Sequence, residues 1–355
     1  LPTADRLDSL AAQSLRAAVR LQPGFAPAIN HLTEFAVRHG DERAARDLQR
    51  RFAALKPDSD WTFQVDLMVR CAFDGSGAVD WPASVRRSSD RVVDVARIVG
   101  GGRRYPECAR GALEAGLAHD ADTSAQHAVF RWSALKGLDY QSIVEGRAAA
   151  AGALIKSETA RGVRAAVSLH VLNAAAGAVE SDAPADSAMR SLTVMPVSRM
   201  STVRLRYLSL WAWYRRDPAR LDSVVRRMRV IFDSTGTGTD RLVLDGAVAR
   251  SAVLRGDTTM ALRTLRELRA AADAGRFTWD LWESAASERL LLSELQLATG
   301  DFLGAIATAE LFDSPRSQIH LLYLGASLRV RYEAARRLGR GADAAQYKAR
   351  LAVTP

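Results

Sequence analysis

Tyr207, Trp211 and Tyr214 follow one another at steps of four and three residues, which puts three aromatic rings on one helical face. Arg204 and Arg215 flank them on that side or next to it. Flat amphipathic rings beside guanidinium groups can anchor a peptide or an acidic group, the rings through apolar area and the guanidinium through paired bonds to a carboxylate. Trp279 and Trp282, one turn apart, offer a second aromatic pair, and Trp132 with Tyr140 could extend the row towards the N-terminus. The competing reading is that these rings fill space between neighbouring helices, as bulky side chains in a helical stripe commonly do.

Other chemistries are weaker. Six histidines (His31, His39, His119, His127, His170 and His320) include His31 and Glu34 on one helical face and His119 and His127 eight residues apart. Neither set suggests a third ligand and no HExxH run is present, so they read as surface or cap residues. Ser133-Ala-Leu-Lys136 fits the S-x-x-K spacing of acyl-serine enzymes without its companion elements. No Walker-type phosphate loop and no G-x-S-x-G elbow occurs. Gly100 to Gly102, before Arg103 and Arg104, could hold an anion through backbone N–H groups, but a turn between helices needs the same glycines. Arg226, Arg227 and Arg229 read as a solvated helix face opposite Val224, Val225, Met228 and Ile231. No catalytic, cofactor or metal site is read from the chain.

Composition narrows the partners. The net charge of +9 invites nucleic acid, yet only four of the 49 basic residues are Lys, and the arginines are interleaved with 40 acids. That bias points to a GC-rich bacterial genome rather than to a phosphate-tracking stripe. No run of eighteen apolar residues exists, so no membrane span is expected. A chain opening at Leu1, without methionine, reads as processed or excised from a longer protein, either cytoplasmic or an extracytoplasmic part of a membrane-anchored one. Cys71 and Cys108 read as two buried thiols, with a single bridge as the alternative in a secreted chain.

The elements that must carry these residues are helices. Pro23 and Pro57 lie thirty-four residues apart with Gly40-Asp41 midway, the period of a helix–turn–helix repeat. A first helix spans about Ala4 to Leu21, and Pro27 opens the next. Gly40 can take the left-handed C-cap conformation, and Asp41 can accept the free N–H groups of the following helix. Similar turns are read at Asp74–Gly77, Gly100–Arg103, Gly137–Asp139, Ser181–Asp182, Arg216–Asp217, Gly256–Asp257, Gly300–Asp301 and Gly339–Gly341. From Asp182 the aspartates step by 35, 40 and 44 residues to Asp301, about one hairpin each. Strand signals are absent. Irregular stretches are expected at 74–104 and at Asp233–Asp240, and regular hairpins over 198–351.

From Arg20 to Asp60 the chain resembles a tetratricopeptide repeat, on Leu32, Ala36, Gly40, Ala45, Phe52 and Pro57, with Ile29 where the family places an aromatic. Later units look like lengthened copies that lack the closing proline. The chain is also similar, loosely, to the repeat-rich halves of bacterial signalling proteins, which follow a kinase or winged-helix domain. The resemblance implies an all-α, right-handed superhelical solenoid whose first helices line a concave groove. It also implies a scaffold without catalytic residues of its own.

One solenoid of about nine hairpins over residues 1–355 is therefore expected, binding a peptide or protein subunit through Arg204, Tyr207, Trp211, Tyr214, Arg215, Trp279 and Trp282. The alternative is a ligand-sensing regulatory domain of a bacterial signalling protein, with a small-molecule effector in the groove. Nucleic acid is not an expected partner.

Overall fold

A computed structural model describes residues 4–100, 104–119, 125–161, 166, 168–178, 181–273, 285–313 and 319–354. Among them are nineteen α-helices, three short 3-10 turns and no strand. Successive helices pack against one another in an all-α, solenoid-like arrangement. The contacts divide into two compact units, one drawn from Leu1–Gln141 and Asp313–Leu321, the other from Ser142–Phe312 and Leu322–Pro355.

In the first unit α1 (Ala4–Leu21), α2 (Ala26–His39), α3 (Glu42–Ala54) and α4 (Ser59–Phe73) follow in order. Val19, Ala28, Ile29, Leu32, Phe52 and Val65 share one buried cluster, so the residues at helical spacing are the ones that close the hairpin. Gly40 sits at φ 73°, and the Asp41 N–H reaches back to the Ala36 carbonyl at 2.9 Å. The Asp41 carboxylate accepts the Ala44 N–H at 3.0 Å, so one dipeptide ends α2 and starts α3.

Beyond α4, the segment expected to be irregular holds α5 (Trp81–Arg87) and α6 (Ser89–Gly100), followed by α7 (Pro106–Ala118). Val92, Val93, Val95, Ala96, Ile98 and Val99 are buried along α6, while the breakers fall outside its interior, Gly75 and Gly77 before α5 and Pro82 in the first turn of α5. Cys71 of α4 and Cys108 of α7 form a disulfide with Cα atoms 5.5 Å apart, which corrects the reading as two thiols. Spacing alone could not find it, because α6 and α7 must fold back on α4 before the two sulfurs meet.

α8 (Ala125–Val144) runs straight through the turn expected at Gly137–Asp139. Ala134, Leu135, Leu138 and Tyr140 are buried on both sides of that glycine, so packing holds the helix across it, and a turn at left-handed Gly146 follows its end instead.

The second unit continues with α9 (Ala148–Ala160), α10 (Ser168–Ala175), α11 (Ala183–Leu192), α12 (Thr202–Tyr214), α13 (Pro218–Thr235), α14 (Gly238–Leu254) and α15 (Thr258–Asp273). It ends with α16 (Ala286–Ala298), α17 (Phe302–Ala309), α18 (Ile319–Arg337) from Leu322 on, and α19 (Gly341–Ala352). Alternate helices α10, α12 and α14 touch one another, each also packed on its hairpin partner. The loop expected at Asp233–Asp240 is a tight turn. Gly236 caps α13 at φ 60°, and Thr237 Oγ1 accepts the Asp240 N–H at 3.1 Å to open α14. The stretch thus ends one helix and caps the next.

Candidate functional site

α12 carries the aromatic row, and its surroundings divide that row in two. Tyr207 and Trp211 are each 4% exposed, whereas Tyr214 is 37% exposed, Arg204 is half-buried and Arg215 is exposed. α12 and α14 are buried on nearly every side, polar residues included, as helices inside a helical layer must be. The expected open face of Tyr207 and Trp211 is therefore interior packing. Trp279 and Trp282 lie outside the described residues, while Tyr140 is buried within the first unit.

The exposed end of the row is organised. Trp211 and Tyr214 stack with centroids 5.4 Å apart, and the Arg215 guanidinium lies 5.5 Å from the centre of the Trp211 ring. Asp182, just before α11, accepts the Tyr214 hydroxyl at 2.7 Å and Arg215 Nη1 at 3.1 Å. That bond to Asp182, with lesser contributions from burial and the Asp182 charge, raises the Tyr214 pKa. The acidic group that the row could anchor is thus met first by the chain's own Asp182. Sequence reading missed this residue, although Ser181–Asp182 stood among the turns.

A second arrangement spans three alternate helices. Glu288 of α16 accepts Arg250 of α14 at 2.7 Å and lies 3.8 Å from Arg206 of α12, all three nearly inaccessible to solvent. Arg250 also donates to Ser287 Oγ at 3.0 Å. Burial pushes the Glu288 carboxyl up, but the Arg250 and then the Arg206 charge outweigh it and hold it at about 2. Gly246 makes the room, since a Cβ there would stand 2.9 Å from both Arg250 Nη1 and Glu288 Oε1. Nothing in the sequence pattern marks this cluster, whose members are dozens of residues apart. At the start of α14, Asp240 accepts the Thr202 hydroxyl at 2.5 Å, tying α12 to α14 once more.

The third arrangement adds to a surface reading, since Arg226 and Arg229 are exposed on α13 opposite the buried Val224, Val225 and Met228. Arg226 and Arg229 of α13 line a cleft of about 360 Å³ together with Arg255, which follows α14. They are walls of an opening as well as a solvated helix face.

Elsewhere the groups considered for chemistry have structural partners. His31 Nδ1 lies 3.3 Å from Glu34, a hydrogen bond that raises the His31 pKa against partial burial. His39 stacks on Phe35 at 4.0 Å. Lys136 is buried, with Nζ 5.5 Å from the centre of the Trp132 ring, so the S-x-x-K spacing holds a packed lysine. Among the described residues, no group of three or more His, Cys, Asp or Glu could hold a metal ion, and no helix is long and apolar enough to cross a membrane. In the first unit a cleft of about 460 Å³ opens between α1, α2 and α3 over Leu32, Phe35 and Leu48.

No protein-family model matches this chain, and no curated protein matches it either.

Proposed function

We propose that the chain is a non-catalytic interaction scaffold that holds a peptide or protein segment, in keeping with the tetratricopeptide resemblance. The observation that carries this reading is the end of α12, where Tyr214 and Arg215 stand exposed while Trp211 and Asp182 fix their positions. Side chains already held in place lose little freedom on binding, which lowers the cost of recognition. An incoming carboxylate can exchange with Asp182 for the Arg215 fork, so an acidic segment suits the site. The Cys71–Cys108 disulfide supports work in an oxidising compartment, as in an extracytoplasmic part of a signalling protein.

The test is capture of a partner by the intact chain, compared with Tyr214→Ala and Arg215→Ala. Both positions are exposed, so the variants should melt close to the parent while losing the partner. Equal capture by folded variants would sink the reading. Trp211→Ala is a poor test, because removing a buried ring costs about 3–5 kcal/mol of stability by itself. A ligand-sensing domain is the second reading, favoured by the arginine-lined cleft beside α13.

A further inference from the structure

We propose that the cleft walled by α13, the end of α14 and the start of α15 binds a small molecule bearing an oxyanion, a carboxylate or a phosphate, on a short apolar body. This stands on the cleft alone and does not depend on partner binding at Tyr214 and Arg215.

The charge around the cleft favours an anion. Arg226, Arg229 and Arg255 reach the same opening from two successive hairpins. Two carboxylates share it, and both are engaged. Asp222 accepts the Ser251 hydroxyl at 2.9 Å and pairs with Arg255, while Asp257 accepts the Met260 N–H at 2.9 Å as the cap of α15. Arg226 donates only to the neutral Ser223 hydroxyl, at 3.1 Å, and no carboxylate lies within ion-pair distance of Arg229 among the described residues. Two guanidinium groups three residues apart on one helix repel each other. An anion between them would relieve that repulsion and gain two charge-assisted bonds.

The shape of the cleft favours a small molecule. The volume, about 360 Å³, lies at the lower end for small-molecule pockets and is too small for a helix. Val225, Val248, Ala252 and Met260 line the remainder, so the bound molecule presents a small apolar body to them and its acid to the arginines. Asp222 positions the cleft from below. Its bonds to Ser251 and Arg255 lock α13 against α14 and aim Arg255 at the opening.

Calorimetric titration of the intact chain at fixed ionic strength, with inorganic phosphate in one arm and succinate in the other, tests the proposal. Saturable binding of at least one anion, one per chain, is expected, and the tighter arm identifies the acid. The exposed double variant R226Q/R229Q should weaken it on the order of tenfold to a hundredfold, the worth of charge-assisted bonds. R336Q/R337Q removes the same charge from exposed positions on α18 and should leave binding unchanged. No saturable binding in either arm overturns the proposal, as does equal weakening in both double variants.

Discussion

Gly246 lies in the middle of α14, where a glycine ordinarily weakens a helix, because two buried charges occupy the space its side chain would take. The Arg250–Glu288 pair there outweighs propensity. Gly246→Ala should therefore lower stability by about 1–2 kcal/mol, even though Ala gains up to about 1 kcal/mol as a helix former. Gly152 in α9 has no neighbour within 4 Å of an added Cβ, so Gly152→Ala should show that gain alone. Urea titrations of the two variants check the contrast, and stabilisation by both would refute the account. The same cluster sets an acid limit. Glu288 is held at about 2 in the folded chain against an ordinary value of 4.5, so the folded state binds fewer protons between those values. Its contribution, on the order of 3 kcal/mol, is whole above about pH 5 and drains away as pH falls towards 2. Glu288→Gln should be destabilised at pH 7 and lose less stability than the parent between pH 6 and 3. A parallel pH profile for the two would exclude this role.

Four hairpins share a turn in which one residue takes the left-handed conformation and the next caps the following helix. Gly40, Gly256 and Gly300 fill the first place at φ 73°, 80° and 83°, each followed by an aspartate whose carboxylate accepts an N–H three residues on. Arg216 fills it at φ 52°, with Asp217 capping α13 in the same way. A residue with a Cβ pays about 1 kcal/mol in that conformation. Arg216→Gly should raise stability by roughly that amount, which a shift in the thermal midpoint would report, while a lower midpoint would show that the Arg216 side chain contributes more than its backbone strain. These turns were legible in the chain because their chemistry is local. Gly137 was not, since a glycine reads alike in a turn and in a helix, and only the buried Leu135, Leu138 and Tyr140 hold α8 through it.

At the scale of the molecule, the disulfide joins α4 to α7 across a sequence separation of 37 residues. Closing a loop of that length restricts the unfolded chain by about 3–4 kcal/mol. Reduction, or Cys71→Ser with Cys108→Ser, should speed amide exchange in α4, α6 and α7 and leave α12 to α15 in the other unit protected as before. Uniform loss of protection would contradict two separately stabilised units.

The all-helical character, the Gly-Asp hairpin turns and the buried face of α2 and α3 followed from sequence alone, because period, caps and left-handed positions depend on neighbours a few residues away. What only the tertiary structure decided is which side chains meet. Tyr207 and Trp211 were placed inside and Tyr214 outside by the helices around α12, and Asp182 was brought to Arg215 from 33 residues away. Arg226, Arg229 and Arg255 became one cleft because α13 and α14 lie side by side. Helical spacing fixes the face a residue shares, and packing between helices fixes what that face touches.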